Sequence, residues 1–139
     1  MILIDASGLI AALDESQPEH VGAAEALRRA GAPRILSPFV LAELDYLLAK
    51  RVSASVARDL VDDVAAGAYQ LEPFDIDDLA AAVAIMDRLP GVNLGLADAS
   101  IVVLAERHRV HDVLTLDERH FRVLRGPGGR PFRILPADA

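Results

Sequence analysis

The sequence predicts an α/β protein with a mainly parallel central sheet. Short apolar runs, beginning with Ile2-Leu3-Ile4, alternate with longer Ala- and Leu-rich segments of helical period. Such alternation of strands and helices is typical of parallel α/β sheets. The first run contains no polar residue, which indicates a strand that is covered on both faces.

Composition limits the class of protein. The 139 residues fit one domain, and we expect residues 1–139 to form it. Hydrophobic residues make up 53% of the chain, which excludes a disordered acidic protein despite the net charge of −7. No apolar run reaches the roughly 20 residues that cross a bilayer, and no signal-type segment opens the chain. We therefore expect a cytoplasmic protein without membrane contact. Because cysteine is absent, a metal would need oxygen or imidazole ligands.

The first half predicts helices around two strands. After the first strand, residues 9–13 form a short helical turn, and a helix over about 19–30 is closed by Gly31. A short strand over residues 34–38 leads to a turn, the next helix starts near Pro38, and a further helix over about 53–66 ends at Gly67. These last two helices form a hairpin. The helices over residues 19–66 are apolar enough either to belong to the core or to offer a groove to a partner helix.

The second half continues the pattern. Residues 69–74 alternate like a strand with one solvated side, and residues 75–78 supply caps for a helix that ends near Arg88. A loop over residues 90–95 precedes a very apolar helix over residues 97–107. Residues 112–115 form a strand, residues 126–129 a turn cluster, and residues 132–135 a last short strand.

Two acidic residues follow predicted strands. Asp5 ends the first apolar run, and Asp117 holds the same position after the strand over residues 112–115. In open parallel sheets, ligands bind beyond the carboxyl ends of the strands. Both carboxylates are therefore predicted where such a fold keeps its site.

Two further acids lie where helical period predicts an inward face. Glu43 comes three residues after Val40, and Asp98 comes three residues before Ile101. A buried charge is costly unless it is paired. Each acid alone has another explanation: Asp98 could cap a helix, Asp117 could start a turn, and Glu43 could pair with a buried arginine.

Together, the four carboxylates predict a site for a hard divalent cation. Magnesium prefers oxygen ligands and is usually bound by a few carboxylates, waters and substrate phosphates. Four converging acids without a cation would repel one another and raise their pKa values. Mg²⁺ is the expected ion, with Mn²⁺ as the alternative.

Three hydroxyl residues lie beside these acids. Ser7 is not flanked by the glycines of a nucleophile elbow, so a hydrogen bond to Asp5 or to a metal-bound water is expected instead. The same role is expected for Ser100 and Thr115. His108 and His111 are three residues apart, but the predicted helix ends between them, and we interpret both as surface residues.

Basic residues concentrate near the C-terminus. Residues 107–133 contain seven arginines and only three acids, which gives this segment a charge of +4. The remainder of the chain then carries −11. A basic segment can attract a polyanion locally, although a solvated face explains the same pattern equally well. Arg119 and Arg122 are the candidates for contacts to a nucleic-acid backbone.

Four short motifs carry a resemblance to a known family. In order along the chain they are Ile2-Leu3-Ile4-Asp5-Ala6-Ser7, Leu41-Ala42-Glu43-Leu44, Leu96-Ala97-Asp98-Ala99-Ser100-Ile101 and Leu114-Thr115-Leu116-Asp117. The set resembles the PIN domain, and in order, spacing and length it is similar to VapC-type toxins of bacterial toxin–antitoxin pairs. The resemblance covers essentially the whole chain.

The resemblance implies a three-layer α/β/α sandwich and a metal-dependent endoribonuclease. Asp5, Glu43, Asp98 and Asp117 would bind the metal and form the catalytic set. A cognate antitoxin would neutralise the enzyme, and a homodimer, with a heterotetramer or larger assembly on antitoxin binding, is expected. A housekeeping PIN nuclease in RNA processing and a non-catalytic PIN-fold binding module remain the alternatives.

Two other α/β classes fit poorly. A haloacid-dehalogenase-like enzyme would have a second aspartate two residues after the first, where this chain has Ser7. A dinucleotide-binding fold would have a Gly-x-Gly-x-x-Gly turn after the first strand, and none is present.

Overall fold

A computed structural model describes all 139 residues, which form five parallel strands and seven helices. The predicted α/β class with a parallel sheet is confirmed. No helix has both the length and the apolar character needed to span a membrane. In chain order the elements are β1 (Ile2–Ile4), α1 (Ala6–Leu13), α2 (His20–Ala30), β2 (Arg34–Leu36), α3 (Pro38–Arg51), α4 (Ala54–Ala65), β3 (Gln70–Leu71), α5 (Ile76–Asp87), α6 (Leu96–His108), β4 (Asp112–Leu114), α7 (Glu118–Phe121) and β5 (Arg133–Leu135).

The strand order is β3-β2-β1-β4-β5, so the chain changes direction across the sheet at β1. Leu3 pairs with Ile35 of β2 on one side and with Val113 of β4 on the other. Because parallel crossovers are right-handed, the connections before and after this reversal cover opposite faces of the sheet. The crevice at such a reversal is where open α/β sheets bind ligands.

The core explains the central place of β1. Ile2, Leu3 and Ile4 are at most 1% exposed, and they belong to one contiguous cluster of 34 buried hydrophobic residues. Burying each such side chain contributes about 1.5–3 kcal/mol. Both faces of β1 are therefore covered, as the absence of polar alternation predicts.

Most helices begin and end close to the predicted boundaries. Ser37 and Ser53 accept hydrogen bonds from backbone N–H groups at the starts of α3 and α4. Asp75 and Asp78 form a capping box at α5. Gly31 closes α2 with a φ of 65°, a conformation that a side chain disfavours.

Two elements differ from the sequence prediction. The predicted strand over residues 69–74 pairs only over Gln70–Leu71, because it lies at the sheet edge beside a three-residue β2 and then turns inward at Glu72. Helix α7 was not predicted, since four residues are too few to show helical period. Its start is fixed by Asp117, whose side chain accepts a hydrogen bond from the His120 N–H.

Helix α1 lies unusually close to β4. A Cβ atom at Gly8 would be 2.4 Å from the carbonyl carbon and oxygen of Leu114 and 2.7 Å from the Thr115 nitrogen. Only glycine permits this approach of helix to strand. The contact brings the residues after β1 against those after β4.

Candidate metal centre

Asp5 follows β1 and is held by hydroxyl groups from two segments. The Thr115 hydroxyl donates to Asp5 Oδ2 at 2.6 Å, and the Ser7 hydroxyl donates to the same oxygen at 3.0 Å. Ser7 in turn accepts from the Leu116 N–H at 3.0 Å, and Thr115 accepts from the Asp117 N–H at 2.9 Å. The expected hydrogen bonds of Ser7 and Thr115 to Asp5 are confirmed.

Asp98 and Asp117 meet at a third residue, His120. His120 Nδ1 lies 2.8 Å from Asp117 Oδ2 and 3.4 Å from Asp98 Oδ2. One ligand atom from each of the three residues lies within 4.8 Å of the others. The side chains of His120 and Asp98 are 18% and 20% exposed, so the group is largely sheltered yet open to a small ion.

The raised pKa values show that the four predicted acids lie close enough to repel one another. Burial, followed by repulsion from Asp5, raises the pKa of Asp98 to about 6; Asp117 and Glu43 add to the shift and His120 opposes it. Burial also raises the pKa of Asp5, with a contribution from Asp117, against its hydrogen bonds to Thr115 and Ser7. Clustered acids without a compensating cation have this signature.

Glu43 is placed differently from the prediction. It is exposed, whereas α3 buries Val40, Leu44 and Leu48. The inward position was wrong because Glu43 precedes Leu44 by a rotation of about 100° and so lies beside the buried stripe. Partial burial of the carboxyl group, followed by repulsion from Asp5, still raises the pKa of Glu43. Glu43 therefore interacts electrostatically with Asp5.

Ser100 does not contact a site carboxylate, which corrects the prediction. Its hydroxyl donates to the Ala97 carbonyl at 2.6 Å and lies 2.7 Å from the Ser37 hydroxyl. Since Ser37 also accepts from the Phe39 N–H at the start of α3, the pair ties α3 to α6. Ser100 thereby fixes the helix that carries Glu43 relative to the helix that carries Asp98.

His120 was missed by the sequence reasoning. It lies three residues after the strand-end acid Asp117 on α7, so one helical turn brings the two side chains together. The spacing Asp-x-x-His directly after an apolar strand was the available signal.

His108 and His111 lie outside the site and are half-buried, so their prediction as surface residues was wrong. His108 contacts the buried Glu72, and His111 Nε2 lies 2.9 Å from the Pro127 carbonyl oxygen. Burial raises the pKa of Glu72, but hydrogen bonds from His108, Gln70 and Arg107 outweigh it and lower the pKa overall. This cluster links the end of β3 to the end of α6.

One surface groove lies apart from the four predicted acids. It has a volume of about 1100 Å³ and lies between α5, α6 and residues 123–129. None of the four predicted acids lines it. The candidate centre at the strand ends is therefore not part of this groove.

The two candidate arginines differ. Arg122 pairs with Asp138 and with Glu118, both at 2.7 Å, and these partners raise its pKa. Arg119, on the same short helix, is exposed and makes no ion pair. Of the two candidates, Arg119 is therefore the one whose charge is not neutralised by a carboxylate partner.

The sequence was compared with models of protein families. The model described as "PIN domain" matches residues 2–126. The chain belongs to the PIN domain family. The resemblance seen in the four motifs is thereby confirmed.

Three known proteins are similar to this chain over most of their length. The chain is 37% identical over 135 residues to Ribonuclease VapC26 of Mycobacterium tuberculosis, covering 97% of this chain and 100% of the relative. The crystal structure of M. tuberculosis VapC20, a sarcin-ricin loop cleaving toxin, superposes with a TM-score of 0.78 at 18% identity over 85% of this chain and 91% of that one. The structure of VapBC2 from Rickettsia felis, bound to a promoter DNA fragment, superposes with a TM-score of 0.66 at 17% identity. The match covers 97% of this chain and 99% of that one. The two structural likenesses establish the PIN fold.

Proposed function

We propose that this PIN protein is a metal-dependent endoribonuclease and the toxin of a toxin–antitoxin pair. The observation that carries the proposal is the meeting of Asp5, Asp98 and Asp117 at the reversal of strand order. The 37% identity to a VapC ribonuclease over 97% of this chain supports the choice of RNA as substrate.

The donor set fits a divalent cation. The unpartnered His120 Nδ1 is buried beside two carboxylates whose ligand atoms lie within 4.8 Å of one another. We propose that Asp5, Asp98 and Asp117, with Glu43 at the rim, hold Mg²⁺, for which Mn²⁺ can substitute. When bound, the cation supplies an activated water and neutralises charge on the scissile phosphate.

The other residues of the site keep the acids in place. Thr115 and Ser7 both donate to Oδ2 of Asp5, which leaves Oδ1 without a side-chain donor. This arrangement orients one carboxylate oxygen toward the ion and fixes the side chain before substrate arrives. Arg119 and, to a smaller extent, Arg122 are proposed to contact the RNA backbone.

A cognate antitoxin is the proposed protein partner. Solved relatives include a toxin–antitoxin complex from Klebsiella pneumoniae, and α3 and α5 of this chain expose Tyr46, Ile76 and Val83. Apolar side chains on helical surfaces suit a partner helix. We propose a homodimer that forms a heterotetramer or larger assembly with the antitoxin and acts on RNA in the cytoplasm.

Cleavage by the chain alone tests the function. The purified protein and its Asp98→Asn variant are incubated with RNA and Mg²⁺ or Mn²⁺, and the RNA ends are mapped. Cleavage should disappear with chelator and fall by at least about a hundredfold in the variant, which loses a charged ligand. Asp62→Asn, on an exposed face of α4, serves as the matched control. Equal cleavage by the parent and Asp98→Asn would refute the acidic site.

A further inference from the structure

His120 differs from the other three histidines. His20 Nδ1 and His111 Nε2 each lie 2.9 Å from a backbone carbonyl oxygen, and His108 contacts Glu72. The Nδ1 atom of His120 is buried and has no hydrogen-bond partner. An unsatisfied buried polar atom is rare in folded proteins and requires an explanation.

Proximity to carboxylates does not satisfy this nitrogen. It lies 2.8 Å from Asp117 Oδ2 and 3.4 Å from Asp98 Oδ2, yet neither oxygen is placed to form a hydrogen bond with it. A histidine that served only as a counter-ion would direct its N–H along a hydrogen bond to one oxygen. Instead, Nδ1 of His120 lies within 3.4 Å of both carboxylates without a hydrogen bond to either.

We propose that His120 Nδ1 is a direct ligand of the divalent cation, together with Asp98 and Asp117. The inference rests on the proposed metal-dependent function. Ligands at about 2.1–2.2 Å from an octahedral ion lie roughly 3 Å apart when adjacent. The separations of 2.8 and 3.4 Å bracket this value, and the whole group lies within 4.8 Å, as three ligands of one ion require.

A nitrogen ligand changes which ion the site prefers. Mg²⁺ takes oxygen ligands almost exclusively, whereas imidazole is a good ligand for first-row transition ions. Mn²⁺ accepts both carboxylate and imidazole. The site therefore binds Mn²⁺ more tightly than Mg²⁺, and His120 is the source of the difference.

Pulsed electron paramagnetic resonance with Mn²⁺ tests ligation directly, without RNA. The parent chain should show modulation from a directly coordinated ¹⁴N nucleus, and His120→Asn should lose it, because an amide coordinates through oxygen. His20→Asn, a histidine of α2 outside the site, should retain it. Absence of the signal in the parent, or its persistence in His120→Asn, would overturn the proposal.

Calorimetric titration with MnCl₂ and MgCl₂ gives a second readout. His120→Ala should weaken Mn²⁺ binding by at least about tenfold and Mg²⁺ binding less, so the selectivity ratio falls. Circular dichroism confirms that the variant is folded. If His120→Ala binds Mn²⁺ like the parent while cleavage remains metal-dependent, the ligand assignment fails and the nuclease proposal stands. If the parent binds neither ion and cleaves RNA in chelator, the proposal of metal-dependent cleavage fails as well.

Discussion

The negative charge of Asp98, which the proposed metal binding needs, should lower the stability of the metal-free protein. At pH 7.5 it is ionised, since its pKa is about 6, and it then lies near Asp5, Asp117 and Glu43. Replacing it by Asn keeps its shape and removes the repulsion. In chelator at pH 7.5, Asp98→Asn should melt about 2–5 °C above the parent, a shift equivalent to about 1 kcal/mol. Differential scanning fluorimetry measures it, and an unchanged or lower Tm would contradict it.

The same carboxyl group predicts a pH dependence. Its pKa is about 6 in the folded chain against 3.8 ordinarily, so the native state binds more protons than the unfolded state between these values. The free energy of unfolding of the metal-free protein should therefore fall as pH rises from about 4 to about 6. The melting advantage of Asp98→Asn should be small at pH 4.5 and full by pH 7. A pH-independent difference would remove Asp98 as its source.

Metal binding should follow the opposite trend. Protons and the cation compete for Asp98, so affinity should decline as pH falls below about 6 and should change little through this group above pH 7. Titration calorimetry with Mn²⁺ at pH 5.5, 6.5 and 7.5 measures the trend. Affinity that rises on acidification would contradict the assignment of Asp98 as a ligand.

At the scale of elements, the packing of α1 on β4 depends on Gly8. A Cβ there would meet backbone atoms of Leu114 at 2.4 Å, and backbone cannot move aside as a flexible side chain can. Gly8→Ala should destabilise the fold by about 1–3 kcal/mol, or more, by forcing the helix away from the strand. Because this contact also aligns Asp5 with Thr115, cleavage should fall further than the folded fraction does.

Urea unfolding and single-turnover cleavage of Gly8→Ala separate the two effects. Gly91→Ala provides the control, since its loop has open space around the added methyl group. Equal stability of Gly8→Ala and the parent would show that α1 can shift without cost.

The hydroxyl pair between α3 and α6 has a measurable role of its own. Ser100→Ala would leave the buried Ser37 hydroxyl without its acceptor, at a cost of about 1–3 kcal/mol. Ser55→Ala, on the exposed face of α4, should be neutral within about 0.5 kcal/mol. Urea denaturation measures both variants, and a neutral Ser100→Ala would mean that the helices are held together by apolar packing alone.

Elements with a strong local signal were predictable from the sequence. The apolar β1, the acid after it and the cap of α5 are each determined by residues that are close together in the sequence. The exposure of Glu43 depends on helix rotation within a fraction of a turn, and the partner of Ser100 lies 63 residues away. His120 reaches the site through a helix of four residues, too short to leave a periodic pattern.

At the scale of the whole molecule, charge should govern the proposed contact with RNA. The net charge of −7 would repel a polyanion, while the basic segment after α6 would attract it. Arg119→Ala should lower the slope of log affinity against log salt concentration by roughly 0.7, the value of one single-strand phosphate contact. Arg122→Ala should lower it less, because Glu118 and Asp138 already neutralise this residue.

Fluorescence anisotropy across a salt series, with catalysis blocked by chelator, gives the slopes. Arg28→Ala serves as the control, since Arg28 is paired with Glu25 on α2. A slope for Arg119→Ala equal to that of the parent would exclude this residue from the RNA footprint.

The hydrogen bond from Thr115 to Asp5 spans 110 residues, and this separation has a consequence for biosynthesis. The first acid leaves the ribosome early, and Asp98 and Asp117 follow only after more than 90 further residues have been translated. While it is being made, the chain holds scattered carboxylates and no centre. A centre built across this separation cannot form until residues 98–117 have been synthesised and folded, so a chain interrupted before Asp98 would lack the proposed metal centre.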